Sequence, residues 1–565
     1  MTSNGGPSTK DNDTPEPSAT TVIQGANPFV GLTPRQMVAA AGRFGVRAAQ
    51  RPTVVASRAA GLAAEELRIL AGVSSVEIDA RDRRFTDPAW RAPTWRRLAQ
   101  SYLTTRDHLL GAVDEVGLDP KSADRARFAL MQLTEALAPT NSLLGNPAAI
   151  KKAVRTRGRS LADGSRHLLH DVRHNGAMPS QVDTRPFRVG ETIAVSPGAV
   201  VYRSEVFELI QYQPTTPQVR ARPVVIIPPQ VNRYYFLDLA PGRSFVEHAV
   251  SQGLQVFMIS WRNPQPEHRA WSLDTYAAAC IEAMEAAVEV AGAVDCTVIG
   301  FCAGGLTQSV TLAHLKARGR DLVHASALAV TSVDTAARST INMFATERSV
   351  ASAVNKSRRK GVLEGRSIAR VFAWVRPNDL VWNYWVSNYL LGENPPAFDV
   401  LAWNADATNL SAGLHAQFVR MLLDNALTKV GAITVLGTPI DLSTIDTDLY
   451  VVGAMTDHLV PWQAAYMATQ LYGGASRFVL SNSGHIQALV NPPGNPKASF
   501  LTSDDNPPDP EIWLKGAQRR SGSWWEDWCG WVSARSGPLQ PRPRKLGSKR
   551  RPVLEAAPGR YVHER

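Results

Sequence analysis

The chain changes its apolar rhythm part-way along. From about residue 26 to 185, apolar residues recur at spacings of three and four, as in "TPRQMVAAAGRFGVRAAQRPTVVASRAAGLAAEELRILAG" and "TDPAWRAPTWRRLAQSYLTTRDHLLGAV". That spacing predicts amphipathic helices. The Gly/Arg/Asp-rich run "RTRGRSLADGSRHLLHDVRHNGAMPSQVDTRPF" closes the helical part, and a domain boundary is expected near its end. Beyond it short apolar runs alternate with helical stretches. "AVVYRSEVFELIQYQ", "RPVVIIPP", "LQVFMISWR", "CTVIGF", "VHASALAVTSV", "TDLYVVGAMTDH" and "SRFVLSNSGH" read as strands. "SLDTYAAACIEAMEAAVEVAG" and "AGGLTQSVTLAHLKARG" read as helices. Such alternation predicts a parallel sheet with helices on both faces and functional loops at the carboxyl ends of the strands. Residues 330–435 interrupt the alternation, are helical and aromatic-rich, and read as a cap.

One junction carries chemistry. In "VIGFCAGGLTQS" a strand runs into Gly300-Phe301-Cys302-Ala303-Gly304-Gly305 and then into a helix. A nucleophile on a tight strand-turn-helix junction is the elbow of the α/β-hydrolase fold. Glycines on either side allow the turn, and the N-terminal N–H groups of the helix favour a thiolate and later an oxyanion. The fold calls for an acid and then a histidine, each after a later strand. Asp457 follows "LYVVGAMT" and His485 follows "FVLSNSG". His268, in a polar loop, and His415, in a helix-like run, lack that position, and His458 sits beside the acid. The N–H of Ala303 is expected in the oxyanion hole. A second donor is expected after the two N–H-lacking prolines of "RPVVIIPP", at Gln230 or Val231, with Val231 preferred.

Composition narrows the classes. Hydrophobic residues make up 44% of 565 and charged residues 20%, which suits a large globular chain. No uncharged apolar run reaches the length of a membrane span. The polar start "MTSNGGPSTKDNDTPEPSATT" is expected to be disordered over residues 1–25 and is no secretory signal. Four cysteines without paired spacing argue against a disulfide framework or structural zinc, and for a reduced, cytoplasmic setting. The net charge is +11, and residues 538–565 hold eight Lys or Arg against two Glu. That run is expected to be a solvated, disordered basic tail, the alternative being contact with an anionic partner. Nothing resembles a nucleic-acid-binding face.

Further motifs resemble one family. "DRRFTDPAW", "PPQVNRYYFLDL", "FMISWRNP", "VFAWVRPNDLVWNYWVSNYLLG", "WNADATNL", "TDHLVPWQ", "SNSGHIQALVNPPGNPK" and "EAAPGRYVHER", with the G-x-C-x-G-G box, resemble the polyhydroxyalkanoate synthases. The resemblance runs from about residue 28 to the end. It implies an α/β-hydrolase catalytic domain (186–537) with its cap, behind a helical N-terminal domain (26–185). It implies polymerisation of (R)-3-hydroxyacyl-CoA with release of CoA, through an acyl-thioester on Cys302 in a triad with Asp457 and His485. It further implies no cofactor or metal, a homodimer, and attachment to polyester granules and their associated proteins. Phe301 in the box resembles the short-chain class. "PPQVNRYY", "GNPKASF" and "YVHER" resemble the medium-chain class. The rival readings on the same fold are a thiol-dependent thioesterase or depolymerase and a non-catalytic granule-coating protein. Arg262 and Arg376 are read as carboxylate partners, with contact to the CoA phosphates as the functional alternative. Trp382, Tyr384, Trp385 and Tyr389 are read as cap packing, and Trp524, Trp525, Trp528 and Trp531 as core.

Overall fold

The computed structural model describes residues 34–80, 82–336, 346–375, 377–457 and 459–565. Six helices come first: α1 (Pro34–Ala49), α2 (Pro52–Ala71), α3 (Pro93–Glu115), α4 (Pro120–Ala136), α5 (Pro147–Arg155) and α6 (Arg159–His174). Each begins with a proline except α6, and proline suits a first turn whose N–H has no intrahelical partner. The side chains of Asp119 and Asn146 cap α4 and α5 by accepting main-chain N–H groups.

A sheet of eleven strands follows: β1 (Gly198–Arg203), β2 (Phe207–Tyr212), β3 (Pro223–Ile227), β4 (Gln255–Trp261), β5 (Cys296–Phe301), β6 (Val323–Ala329), β7 (Asp448–Ala454), β8 (Ser476–Ser481), β9 (Ser499–Thr502), β10 (Gln518–Ser521) and β11 (Glu555–Ala556). Their spatial order is β10-β9-β8-β7-β6-β5-β3-β4-β2-β1-β11. The six strands from β8 to β4 run parallel, and antiparallel strands extend the sheet on both sides. The parallel strands are buried on both faces, which explains apolar runs such as "VVII" where a one-sided strand would alternate. Helices α7 (Phe245–Ser251), α8 (Leu273–Ala291) and α9 (Ala303–Ala317) connect β3 through β6. The apolar residues of α8 and α9 pack on one face of the sheet. On the other lie α7 and the helix Trp524–Ser533, where the rings of Trp524, Trp525 and Trp528 gather about Phe245. The tryptophan cluster is core.

Between β6 and β7 the chain leaves the sheet as an insertion of helices, with two π-helical stretches, Asn378–Trp382 and Trp385–Leu390. The N-terminal helices grip this insertion. Gln132 donates to the Trp374 carbonyl, Trp385 Nε1 to the Asn141 carbonyl, and Asn388 to the Ser180 carbonyl. Asp171, 1% exposed, accepts from the Tyr389 hydroxyl at 2.7 Å and from both the N–H and hydroxyl of Ser180. At Gly164 a Cβ would stand 2.0 Å from the Tyr389 carbonyl oxygen, so α6 lies directly on the cap backbone. A buried carboxylate with three donors is costly to remove, because each donor is left unpaired. Asp171→Ala is therefore expected to lower stability by about 1–3 kcal/mol in denaturant unfolding. A chain beginning at residue 186 loses the whole grip on the cap. It is expected to polymerise poorly even where its sheet still folds, as circular dichroism and CoA release measured together would read.

Residues 538–565 correct the expectation of a solvated, disordered tail. Leu539–Pro541 pairs with Gln218–Arg220, and β11 pairs with β1. Tyr561 and Val562 are buried. Arg551 bonds Glu289 and lies over the Tyr202 ring, while buried Glu208 accepts the main-chain N–H groups of Arg560 and Tyr561. The segment reads as a free tail in sequence because the groups that hold it, Glu208 and Glu289 among them, lie hundreds of residues away.

Candidate active site

β5 delivers Cys302 at its carboxyl end, and α9 starts at the next residue. Cys302 has φ 49° and ψ −119°, a conformation that L-residues rarely adopt, so the turn stores strain that its surroundings must hold. Its N–H donates to the Ala329 carbonyl at 2.9 Å, and its own carbonyl accepts from the Thr331 hydroxyl at 3.2 Å. The glycine spacing follows from contacts. A Cβ on Gly300 would stand 2.6 Å from Gly305 Cα, and one on Gly305 would stand 2.1 Å from Thr331 Oγ1. One on Gly304 would stand 2.3 Å from the Ile227 carbonyl oxygen and 2.5 Å from that of Pro228. The first turn of α9 is thus pressed against the end of β3, where the expected oxyanion loop begins. Because the obstacle at Gly304 is backbone, Gly304→Ala is expected to cost about 1–3 kcal/mol of stability and to lower acyl transfer beyond that loss. Thermal unfolding and CoA release together would read both. Nothing in "ALAVTSV" marks Thr331 in advance, since its role arises from the pairing of β5 with β6.

Asp457 lies in the turn after β7, and His485 opens a short helix after β8. Two main-chain bonds tie these turns together: Met455 N–H to the Ser481 carbonyl and Thr456 N–H to the Ser483 carbonyl. Asp457 Oδ1 accepts the N–H groups of Leu459 and Val460, both at 2.9 Å. Its Oδ2 stands 2.5 Å from His485 Nδ1. Both side chains are fully buried. With Nδ1 committed to Asp457, Nε2 is the nitrogen left to serve the Cys302 thiol, whose influence helps to raise the His485 pKa. The structure thus brings Cys302, His485 and Asp457 together.

Burial alone would push the His485 imidazole down, but Asp457 and Cys302 outweigh it and hold the pKa up at about 10. A raised pKa means that the folded state holds this proton more tightly than the unfolded chain does. The resulting stability is fully present below the ordinary histidine value of about 6.5 and is lost as pH rises through about 10. Wild type is therefore expected to lose stability between pH 7 and 10 by more than His485→Gln does, as denaturant unfolding at several pH values would read. The other three cysteines are buried, and burial pushes their thiols up, to about 12 for Cys529, so they stay protonated. Cys302 alone is partly exposed.

Ala303 and Val231 face no competing main-chain acceptor among the described residues, which leaves both N–H groups available. The Gln230 N–H has no main-chain acceptor among the described residues either, and its side-chain amide donates to Thr307 Oγ1 of α9 at 3.0 Å. Arg262 takes the carboxylate option: it bonds Glu564 at 2.7 Å and lies over the Tyr561 ring. Arg376 and His458 lie outside the described residues. His268 accepts the Gln265 N–H and stacks on Trp271, and buried His415 meets the Ser357 hydroxyl, so both have local structural partners.

Relatives share both parts of this architecture. Residues 81–249 match the family model "Poly-beta-hydroxybutyrate polymerase (PhaC) N-terminus", and residues 230–492 match that of the alpha/beta hydrolase fold. Poly(3-hydroxyalkanoate) polymerase 1 of Ectopseudomonas oleovorans is 43% identical over 559 residues, which cover 99% of this chain and 100% of that protein. The chain belongs to the poly(3-hydroxyalkanoate) polymerase family. Polymerase 2 of the same organism is also 43% identical, over 95% of this chain and 96% of its own length. The family member from Cupriavidus necator, poly(3-hydroxyalkanoate) polymerase subunit PhaC, is 41% identical over 85% of this chain and 83% of its own length. The family match therefore covers the helical N-terminal part as well as the hydrolase-like sheet.

Proposed function

We propose that this chain polymerises (R)-3-hydroxyacyl units from their CoA thioesters, with Cys302 as the acyl carrier. The observation that carries the reading is the thiol at the strand-to-helix elbow, served by an imidazole that is itself held by a buried carboxylate. His485 holds the proton given up by Cys302 as an imidazolium beside the thiolate, and the thiolate attacks the thioester carbonyl. The oxyanion is met by the N–H groups of Ala303 and Val231. The carbon–sulfur bond to CoA breaks, His485 returns its proton to the leaving sulfur, and an acyl-thioester remains on Cys302. In the second step the 3-hydroxyl of another unit attacks that carbonyl and a base takes its proton. The oxyester forms as the bond to Cys302 breaks. Asp457 fixes the imidazole tautomer and stabilises its charged form.

The sulfur atom explains the direction of the reaction. Exchange of one thioester for another is nearly isoenergetic, so the acyl group keeps its activation until the oxyester forms. A serine would release that energy in the first step. Water in place of the 3-hydroxyl would give a hydrolase on the same triad, and the cap insertion serves to exclude it.

The chain carries no helix, among the described residues, long and apolar enough to cross a membrane. Attachment to polyester granules and pairing of two copies belong to the same proposal, and the N-terminal helices are the surface we assign to the granule. Leu67, Leu70 and Val73 at the end of α2 are each about two-thirds or more exposed, which supports contact with an apolar surface. The reading is tested by a single turnover with labelled (R)-3-hydroxyacyl-CoA followed by peptide mass spectrometry. An acyl adduct on the Cys302 peptide that hydroxylamine removes supports it, and an adduct elsewhere contradicts it.

A further inference from the structure

The fold leaves a cavity of about 860 Å³ at the carboxyl ends of β3 and β4, within the range of small-molecule sites. Its basic wall comes from separate parts of the chain: Arg233 after β3, Arg366 from the cap, Arg188 before β1, and His563 and Arg565 from the last residues. The two acids in the wall already have partners. Glu364 pairs with Lys360 at 2.7 Å, and Asp406 accepts the Tyr235 hydroxyl at 2.9 Å. Two of the cations are under-used. Arg233 is 4% exposed and donates to the carbonyls of Tyr561 and Glu564, yet its Nε has no hydrogen-bond partner. It forms an ion pair with Asp406 at 3.6 Å, a separation beyond hydrogen-bond reach. Arg366 is exposed and forms no ion pair among the described residues. A buried guanidinium whose Nε lacks a hydrogen bond, in a roomy cavity beside an exposed arginine with no ion pair among the described residues, is a site for an anion.

We propose that this cavity holds the phosphates at the nucleotide end of the CoA thioester, an inference that rests on the acyl-CoA reading above. Cys302 stands at the end of β5, and the strand order places β3 beside β5 and β4 beyond it. Two strand spacings are about 10 Å. The pantetheine arm of CoA is long enough to cross that distance and bring its sulfur to the thiol while the phosphates stay among the arginines. Arg233 also links the two ends of the site, being two residues beyond Val231 on the same loop.

The test has a binding arm and a kinetic arm, both with the full chain. In the first, Cys302→Ala protein is titrated calorimetrically with CoA, pantetheine and inorganic pyrophosphate, with and without Arg366→Glu. In the second, wild type and Arg366→Glu are compared on an (R)-3-hydroxyacyl-CoA and on the N-acetylcysteamine thioester of the same acid, which has no phosphates. The expected result is about tenfold weaker binding of CoA and an about tenfold higher KM for the CoA thioester in Arg366→Glu. The loss should fall on KM rather than kcat, with none on the truncated thioester. Equal losses on both thioesters, no loss on either, or pyrophosphate bound as tightly as CoA by the Cys302→Ala protein would overturn the site. Failure of wild type to transfer either acyl group would instead overturn the acyl-CoA reading, and the CoA titration would still report on the cavity.

Discussion

Cys302→Ala is expected to give a folded protein whose CoA release falls at least about 10⁴-fold, to the background of the assay. The expectation of a normal fold comes from the position of the side chain. Cys302 is partly exposed, and the conformation of its backbone is fixed by the neighbouring glycines, Thr331 and the Ala329 carbonyl rather than by its sulfur. The expectation of a dead enzyme comes from the absence of a substitute: the other three thiols are buried, and burial keeps them protonated. Cys302→Ser should be almost as inactive, since a hydroxyl beside the same imidazole is a poorer nucleophile toward a thioester and its acyl-enzyme is an oxyester. Circular dichroism together with CoA release would decide it, and a tenth of wild-type turnover in Cys302→Ala would remove this residue from the chemistry.

His485→Gln and Asp457→Asn should both be severely impaired, for different reasons. Glutamine cannot take the thiol proton, so no acyl group should reach Cys302 at neutral pH. Asparagine presents either an oxygen or an NH₂ to His485 Nδ1 and can select the wrong tautomer, and the loss expected is about 10⁴-fold. The two variants separate in their pH response. In Asp457→Asn the imidazole loses the main influence that raises its pKa, so the remaining activity should shift its pH profile downward. In His485→Gln any remaining acylation should rise with pH as the thiol ionises on its own. Trapping of labelled acyl-enzyme across pH 6–10 reads both. Wild-type levels of acyl-enzyme in His485→Gln would take the base role from that residue.

Much of this site is legible from the chain because its features are local. Gly300 to Gly305 lie in one hexapeptide, and the acid and the histidine each close a short apolar strand. A parallel sheet sends all such turns to one end, so three separate turns imply one site. What the sequence conceals depends on long-range pairing. Thr331 acts on Cys302 through the ladder of β5 with β6. Arg262 turned to Glu564, some 300 residues away, rather than to the cavity, while Arg233, in a motif noted only for its family likeness, lines that cavity. The final basic residues look like a free tail because Glu208 and Glu289, which fix them, belong to a distant strand and helix. The N-terminal helices likewise read as a separate domain, although Asp171 and Gly164 show them seated on the cap.

The central claim is that an acyl group held on Cys302 is passed to a hydroxyl rather than to water. The most direct test incubates the purified protein with (R)-3-hydroxyacyl-CoA, counts CoA released, and determines the mass of the acyl product in the same sample. The account requires that nearly all acyl groups matching the released CoA be recovered in polyester of many units, with Cys302→Ala giving neither product. Recovery of free 3-hydroxy acid in step with CoA would contradict it and leave a thioester hydrolase built on the same three residues.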